Sequence, residues 1–97
     1  MPRASLSFAE SAVLDLEAVI DWYEGQGVPQ VGRRLVDEVL TRAEALADHP
    51  ELGRVVPEFG QAFLRELIHP PFRIVYRVDP GQVRVVRVWR SERLLKE

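Results

Sequence analysis

Apolar and polar positions alternate most clearly in the last third of the chain. Phe72, Ile74, Tyr76 and Val78 interleave with Arg73, Val75 and Arg77, a period of two that predicts a strand with one face on a core. Asp79-Pro80-Gly81 breaks the run as a tight turn does. The β-branched run Val83 to Trp89 then predicts the second strand of a hairpin. With Asp79 and Gln82 closing the turn, Phe72 opposes Trp89, Tyr76 opposes Val85 and Arg77 opposes Arg84. One face then carries Phe72, Ile74, Tyr76, Val78, Val83, Val85 and Trp89, with Arg87 as a misfit. The other carries Arg73, Arg77, Arg84 and Arg90 around Val75, Val86 and Val88. A slip of one residue would exchange the faces. An arginine-rich face of this kind is either solvated or built to meet something acidic.

The remaining elements follow from the same patterns. Ala4 to Phe8 suits a first strand, and Ser7 and Glu10 have the spacing of a capping box. Val13, Leu16, Ile20 and Tyr23 form the apolar stripe of a helix, which Gly25-Gln26-Gly27 ends. Pro29 opens a second helix, with a stripe of Val31, Leu35, Val39, Ala43 and Leu46 widened by Val36 and Leu40. His49-Pro50 stops it. Glu51 to Gln61 reads as a loop, and Phe63 to Ile68 as a strand that Pro70-Pro71 separates from the hairpin. The tail from Ser91 to Glu97 is expected to be mobile unless a partner holds it. The order is β-α-α-β-β-β. This predicts one α+β domain over residues 1–97, with an antiparallel helix hairpin on one face of a small, mainly antiparallel sheet. The other face is left partly open.

Composition narrows the chemistry. The chain has no cysteine, which excludes disulfides, a thiolate nucleophile and zinc–cysteine sites. No apolar run approaches the ~20 residues of a membrane-spanning helix, so the cytoplasm is the expected location and no membrane partner is expected. No histidine cluster or paired carboxylates suggest a metal, and no glycine pattern suggests a phosphate loop, so no cofactor is expected. His49 and His69 read as surface residues beside prolines. Trp22 and Trp89 read as core or helix–sheet contacts. The net charge of −2 is unevenly divided: residues 1–48 hold four arginines and nine acids, and residues 49–97 hold nine basic residues and six acids. The pI of 5.7 argues against a general nucleic-acid coat, while a local basic site stays open.

Several segments together resemble the ParE/RelE superfamily of type II toxins from bacterial toxin–antitoxin pairs. They are Leu6-Ser7-Phe8, Ala12 to Leu16 with Trp22-Tyr23, Leu46 with Pro50 and Gly53, Arg65-Glu66-Leu67, Pro71 to Val78, and Val88-Trp89-Arg90 with Arg93. The resemblance implies the order of elements already read from periodicity, and one of two activities. RelE-like members are ribosome-dependent mRNA endonucleases. ParE-like members share the scaffold and poison DNA gyrase. Cutting RNA needs a base for the 2′-hydroxyl, an acid for the leaving oxygen and cations for the phosphate. Arg73 matches one family arginine, and Arg90 or Arg93 stands where another is expected. The family's lysines are missing, with Leu64 and Glu66 in their place, and a carboxylate at Glu66 would repel phosphate. No Tyr or His follows Trp89, and arginine is a poor general base.

The resemblance therefore favours the ParE-like branch, a non-enzymatic toxin, and no residue is assigned a catalytic role. Should the chain be an RNase, Arg73, Arg90 and Arg93 are the candidates. The implied partners are a ParD-like antitoxin and DNA gyrase, with direct nucleic-acid binding left open. The expected partner-binding residues are Arg65, Arg73, Arg77, Arg84, Arg90, Arg93 and Trp89. A homologue that binds an antitoxin and poisons nothing is the third reading.

Overall fold

A computed structural model describes residues 3–90. The chain runs β1 (Ser5–Phe8), α1 (Glu10–Gly25), α2 (Pro29–Asp48), β2 (Arg54–Val55), β3 (Leu64–His69), β4 (Phe72–Asp79) and β5 (Gln82–Arg90). The five strands form one sheet in the order β1-β5-β4-β3-β2. All pairings are antiparallel except β1 with β5. This is the expected α+β architecture with one added strand. β2 is only two residues long and sits inside the segment read as a loop. Two residues give no periodicity, and β2 exists because Arg54 and Val55 pair with Glu66 and Arg65.

The helix hairpin covers one face of the sheet. Leu16 of α1 and Leu35, Val36, Val39, Ala43 and Leu46 of α2 pack with Leu67, Phe72, Ile74, Tyr76, Val83, Val85 and Val88. Each fully buried aliphatic or aromatic side chain contributes about 1.5–3 kcal/mol relative to exposure. The stripe on α1 is centred on Ala12 and Leu16 with Val19, Ile20 and Tyr23 beside it, and Val13 faces outward. Leu40 is also on the outside of α2. Gly27 takes a positive φ of 80° just past α1, the backbone state that lets the chain turn into α2 at Pro29. The expected capping box is absent: the N-cap of α1 is Ala9, without a side-chain hydrogen bond. Ser7 belongs to β1 and accepts a long hydrogen bond of 3.4 Å from Arg84.

The hairpin register is as expected from Asp79–Gln82 up to Tyr76–Val85, then slips by one. Val86 is the extra residue of a β-bulge. Beyond it Val75 opposes Arg87, Ile74 opposes Val88, Arg73 opposes Trp89 and Phe72 opposes Arg90. The predicted Phe72–Trp89 pair is thus replaced, Val88 enters the core, and Trp89 leaves that face to lie across from Arg73. The bulge lies where β1 stops. β1 pairs with β5 only as far as Val85, and side chains of α1 take over the edge. Ser11 Oγ donates to the Val86 carbonyl at 2.6 Å. The Asp15 carboxylate accepts the Val88 N–H at 2.8 Å and the Arg87 guanidinium at 2.9 and 3.0 Å. Arg87, the misfit of the sequence pattern, is therefore the residue that locks β5 to α1. The bond to Asp15 raises its pKa further against a smaller opposing effect of burial.

Candidate functional site

The open face of the sheet is closed over by ion pairs. Strand alternation puts Arg73 of β4 on this face, across from Trp89 of β5 and Ile68 of β3. Glu66 of β3 is only 1% exposed and Arg73 only 6%. Arg73 Nη2 pairs with Glu66 Oε1, and Arg54 Nε donates to Glu66 Oε2 at 2.6 Å. Glu58, from the loop between β2 and β3, grips the end of the same guanidinium. Its oxygens accept from Arg73 Nη1 and Nη2 at 3.1 Å each. The result is an alternating row, Glu58–Arg73–Glu66–Arg54, whose formal charges cancel. The Arg73 carbon Cζ also lies 5.9 Å from the Trp89 ring centroid, and that of Arg87 lies 5.2 Å from it.

The row corrects the picture of a cationic sheet face. Burial alone would lower the pKa of Arg73, but the Glu58 hydrogen bond and the Glu66 and Glu58 charges outweigh it and the net direction is upward. Glu58 is held below its ordinary value of 4.5, chiefly by its bond to Arg73. Glu66 is no isolated negative charge, since it is matched on both oxygens. Arg73 keeps its charge but spends two of its donor nitrogens inside the protein.

The other expected arginines have separate surroundings. Arg65 donates to the Gly53 carbonyl at 3.0 Å and belongs to a knot on the edge of the core. There the Tyr76 hydroxyl donates to the Pro50 carbonyl and accepts the Gly53 N–H, both at 2.8 Å. A Cβ on Gly53 would collide with the Glu66 carbonyl oxygen and lie 2.8 Å from the Tyr76 hydroxyl, so only glycine fits. Burial pushes the Tyr76 pKa up. Arg77 bonds Asp79 at 2.9 Å and lies over Phe63 at 4.5 Å. Arg84 is exposed and its contact with Ser7 is weak. Arg90 lies 5.9 Å from Phe72. Arg93 and the tail 91–97 lie outside the described residues.

Arg90 and Trp89 border a cleft of about 580 Å³ between α1 and the far ends of β4 and β5. Asp15, Ala18, Val19, Trp22 and Tyr23 form its helical wall, and Phe72, Arg87 and Val88 complete the other. Trp22 is 58% exposed and meets Tyr23 edge to face at 4.7 Å. Of the two expectations for it, core or helix–sheet contact, the first is excluded by this exposure, and it lines the cleft between helix and sheet. Sequence reasoning also missed Arg54, Asp15 and the pairing of Glu58 with Arg73. The available signal was Arg87: an arginine out of pattern on a strand asks for a carboxylate on the element that covers it. His69 pairs with Glu38 of α2 at 3.2 Å, a bond that is the main cause lowering the Glu38 pKa. Among the described residues no group of His, Cys, Asp and Glu is arranged to hold a metal. None of the helices among them is long and apolar enough to cross a membrane.

This architecture has close counterparts. The chain aligns with the toxin named RelE2 of Caulobacter vibrioides at 40% identity over 84 residues, covering 86% of this chain and 90% of the relative. A structure of the chromosomal ParDE system from P. aeruginosa matches with a TM-score of 0.76 and 23% identity, over 91% of this chain and 96% of the other. The RelBE2 toxin–antitoxin complex from Mycobacterium tuberculosis matches with a TM-score of 0.66 and 20% identity, over 93% of each chain. At these identities the two structures speak for the fold. The family model described as "ParE toxin of type II toxin-antitoxin system, parDE" covers residues 6–95. With Pro50, Gly53, Arg65 and Tyr76 joined in one knot and a helix hairpin laid over a five-stranded sheet, the chain belongs to the ParE toxin family, within the ParE/RelE superfamily of type II toxins.

Proposed function

We propose that the chain is a ParE-like toxin that inhibits DNA gyrase by binding and is neutralised by a ParD-like antitoxin in the cytoplasm. The observation that carries this reading is the state of Arg73. An RNase of this superfamily would present that guanidinium to the scissile phosphate, whereas here Glu58 and Glu66 already hold it. Glu58 is itself committed to Arg73, and His69 is paired with Glu38, so neither is set up to take a proton from a 2′-hydroxyl.

The antitoxin's place in this reading is the cleft beside α1. Trp22, with Tyr23 beside it, offers an apolar anchor there and Arg90 a cationic rim. That chemistry suits a segment with an apolar strip and acidic flanks. Ordering such a segment costs about 2–5 kcal/mol, which buried anchors and charge-assisted bonds to arginine offset. Trp89 borders the same cleft, and Arg77 and Arg84 offer the partner a separate contact on the open face near the hairpin turn. Arg65 contributes to it indirectly, by holding the Gly53 loop.

The second reading, a ribosome-dependent mRNA endonuclease using Arg73, Arg90 and Arg93, has in its favour the name RelE2 carried by the Caulobacter relative. One pair of assays separates the two. Purified toxin is expected to inhibit gyrase supercoiling and to raise the yield of cleaved DNA, with mRNA on translating ribosomes left intact. Defined cleavage of ribosome-bound mRNA without any effect on gyrase would reverse the assignment.

A further inference from the structure

Two unlike carboxylates hold Arg73. Glu66 sits on a central part of the sheet and its side chain is fully buried, whereas the Glu58 side chain is 48% exposed on a loop. Glu66 is shared with Arg54 and cannot leave without stranding two cations. Glu58 can leave by rotating its side chain into water. Its departure would leave the guanidinium groups of Arg54 and Arg73 facing one carboxylate, a local excess of one positive charge beside the Trp89 ring. It would also expose the Nη1–Nη2 fork, the geometry that binds a two-oxygen anion in parallel hydrogen bonds. Arg73 Nε is already buried without a hydrogen-bond partner, and with Glu58 gone only Glu66 Oε1, beside Nη2, would remain against the guanidinium.

We propose that Arg73 is a latent oxyanion site and that Glu58 is its exchangeable internal occupant, displaced by a side-chain carboxylate of a protein partner. The occupant argues for the class of ligand: a planar carboxylate already fits the fork at 3.1 Å on both arms. An arginine fork also accepts a phosphodiester, and the probes below separate the two. The proposal depends on the antitoxin reading only for the source of the carboxylate. The exchange gives Glu58 a role in partner affinity, since every partner acid that reaches Arg73 must first compete with it.

The test uses full-length protein, with acetate and dimethyl phosphate as probes and backbone amide NMR as readout. The variants are Glu58→Gln, which keeps shape without charge, and Glu58→Ala, which empties the position. Both are expected to bind acetate about tenfold or more tightly than the wild type, with shifts centred on Arg73 and Trp89. Equal acetate affinity in wild type and variants would overturn the exchange. Preference for dimethyl phosphate would overturn the carboxylate assignment in favour of a nucleic-acid backbone. If neither probe gives a saturable shift, or if both variants lose the fold, Glu58 is a structural residue and the site does not exist. The gyrase assay is independent of all these outcomes, so this proposal and the functional one can fail separately.

Discussion

The two faces of the sheet bury comparable depths of side chain by different means. On the helix-covered face, Phe72, Ile74, Val83 and Val85 are removed from water by other apolar groups, and one polar device, the Tyr76 hydroxyl, is satisfied by backbone at Pro50 and Gly53. Among the described residues no helix covers the open face. Arg73 and Glu66 are nevertheless buried, covered by their own counter-charges, by the Glu58 loop and by Trp89. A row of arginines in a sequence therefore does not specify a cationic surface. Their spacing gives the face only where the register is unbroken, as at Arg73, Arg77 and Arg84, and the loop packed on that face fixes how much of the charge stays available.

The comparison breaks most sharply at Glu66. Replacing it with alanine leaves Arg73 and Arg54 without the carboxylate they share, and removing one member of a buried pair typically costs about 3–5 kcal/mol. The Glu66→Ala protein is expected to lose that much in urea unfolding, whereas Arg84→Ala, on an exposed part of the same face, is expected to change stability by less than about 0.5 kcal/mol. A mild Glu66→Ala phenotype would mean that the ion row carries little of the packing on this face.

On the covered face the corresponding strike is at the knot. Tyr76→Phe leaves the Gly53 N–H buried without its acceptor, at a cost of about 1–3 kcal/mol. Gly53→Ala, with its Cβ driven into the Glu66 carbonyl and the Tyr76 hydroxyl, is expected to destabilise by about 1–3 kcal/mol as well. The two changes attack one set of contacts. Their effects in the double variant are expected to fall short of additivity in denaturant midpoint, as coupled neighbours do.

The smallest effects are those of pH, and the paired carboxylates and the buried phenol give them opposite signs. Glu58 and Glu38 have folded pKa values below 4.5 because of Arg73 and His69 respectively. Their contribution to stability is complete above that value and is lost as pH falls below it through the folded pKa. Tyr76 is raised above 10.0 by burial. Its contribution is complete below pH 10.0 and is lost as pH rises through the folded value. Midpoints of urea unfolding followed from neutral pH in both directions are expected to decline on each side. Glu58→Gln is expected to flatten part of the acid decline, and Tyr76→Phe to flatten the alkaline one.

The order of elements, the helix stripes around Leu16 and Val39, and the turn at Asp79-Pro80-Gly81-Gln82 were legible in the residues alone. They depend on local preference and on periodicity, which a sequence displays directly. The register of β5 was legible only up to Val85. Beyond it, Val86 bulges where β1 ends and Ser11 and Asp15 of α1 take over the strand edge. That meeting joins residues more than 70 positions apart. β2 escaped notice because two residues carry no pattern, and it is held by Arg65 and Glu66 of another strand.

The candidate site divides in the same way. Sequence resemblance pointed to Arg65, Arg73, Trp89 and Arg90 as candidates, and the chain itself shows that no Tyr or His follows Trp89. Glu58 as the partner of Arg73 was not readable, since a glutamate in a loop between Pro57 and Phe59 has no periodic signal. The residues alone thus fix the kind of fold and the faces of Arg73, Arg77 and Arg84, while the bulge at Val86 exchanges the expected faces of Arg87 and Arg90. Only tertiary structure decided which of those charges are neutralised, because Coulomb pairing and desolvation depend on separation in space, and a loop 15 residues away along the chain supplies the carboxylate that meets Arg73.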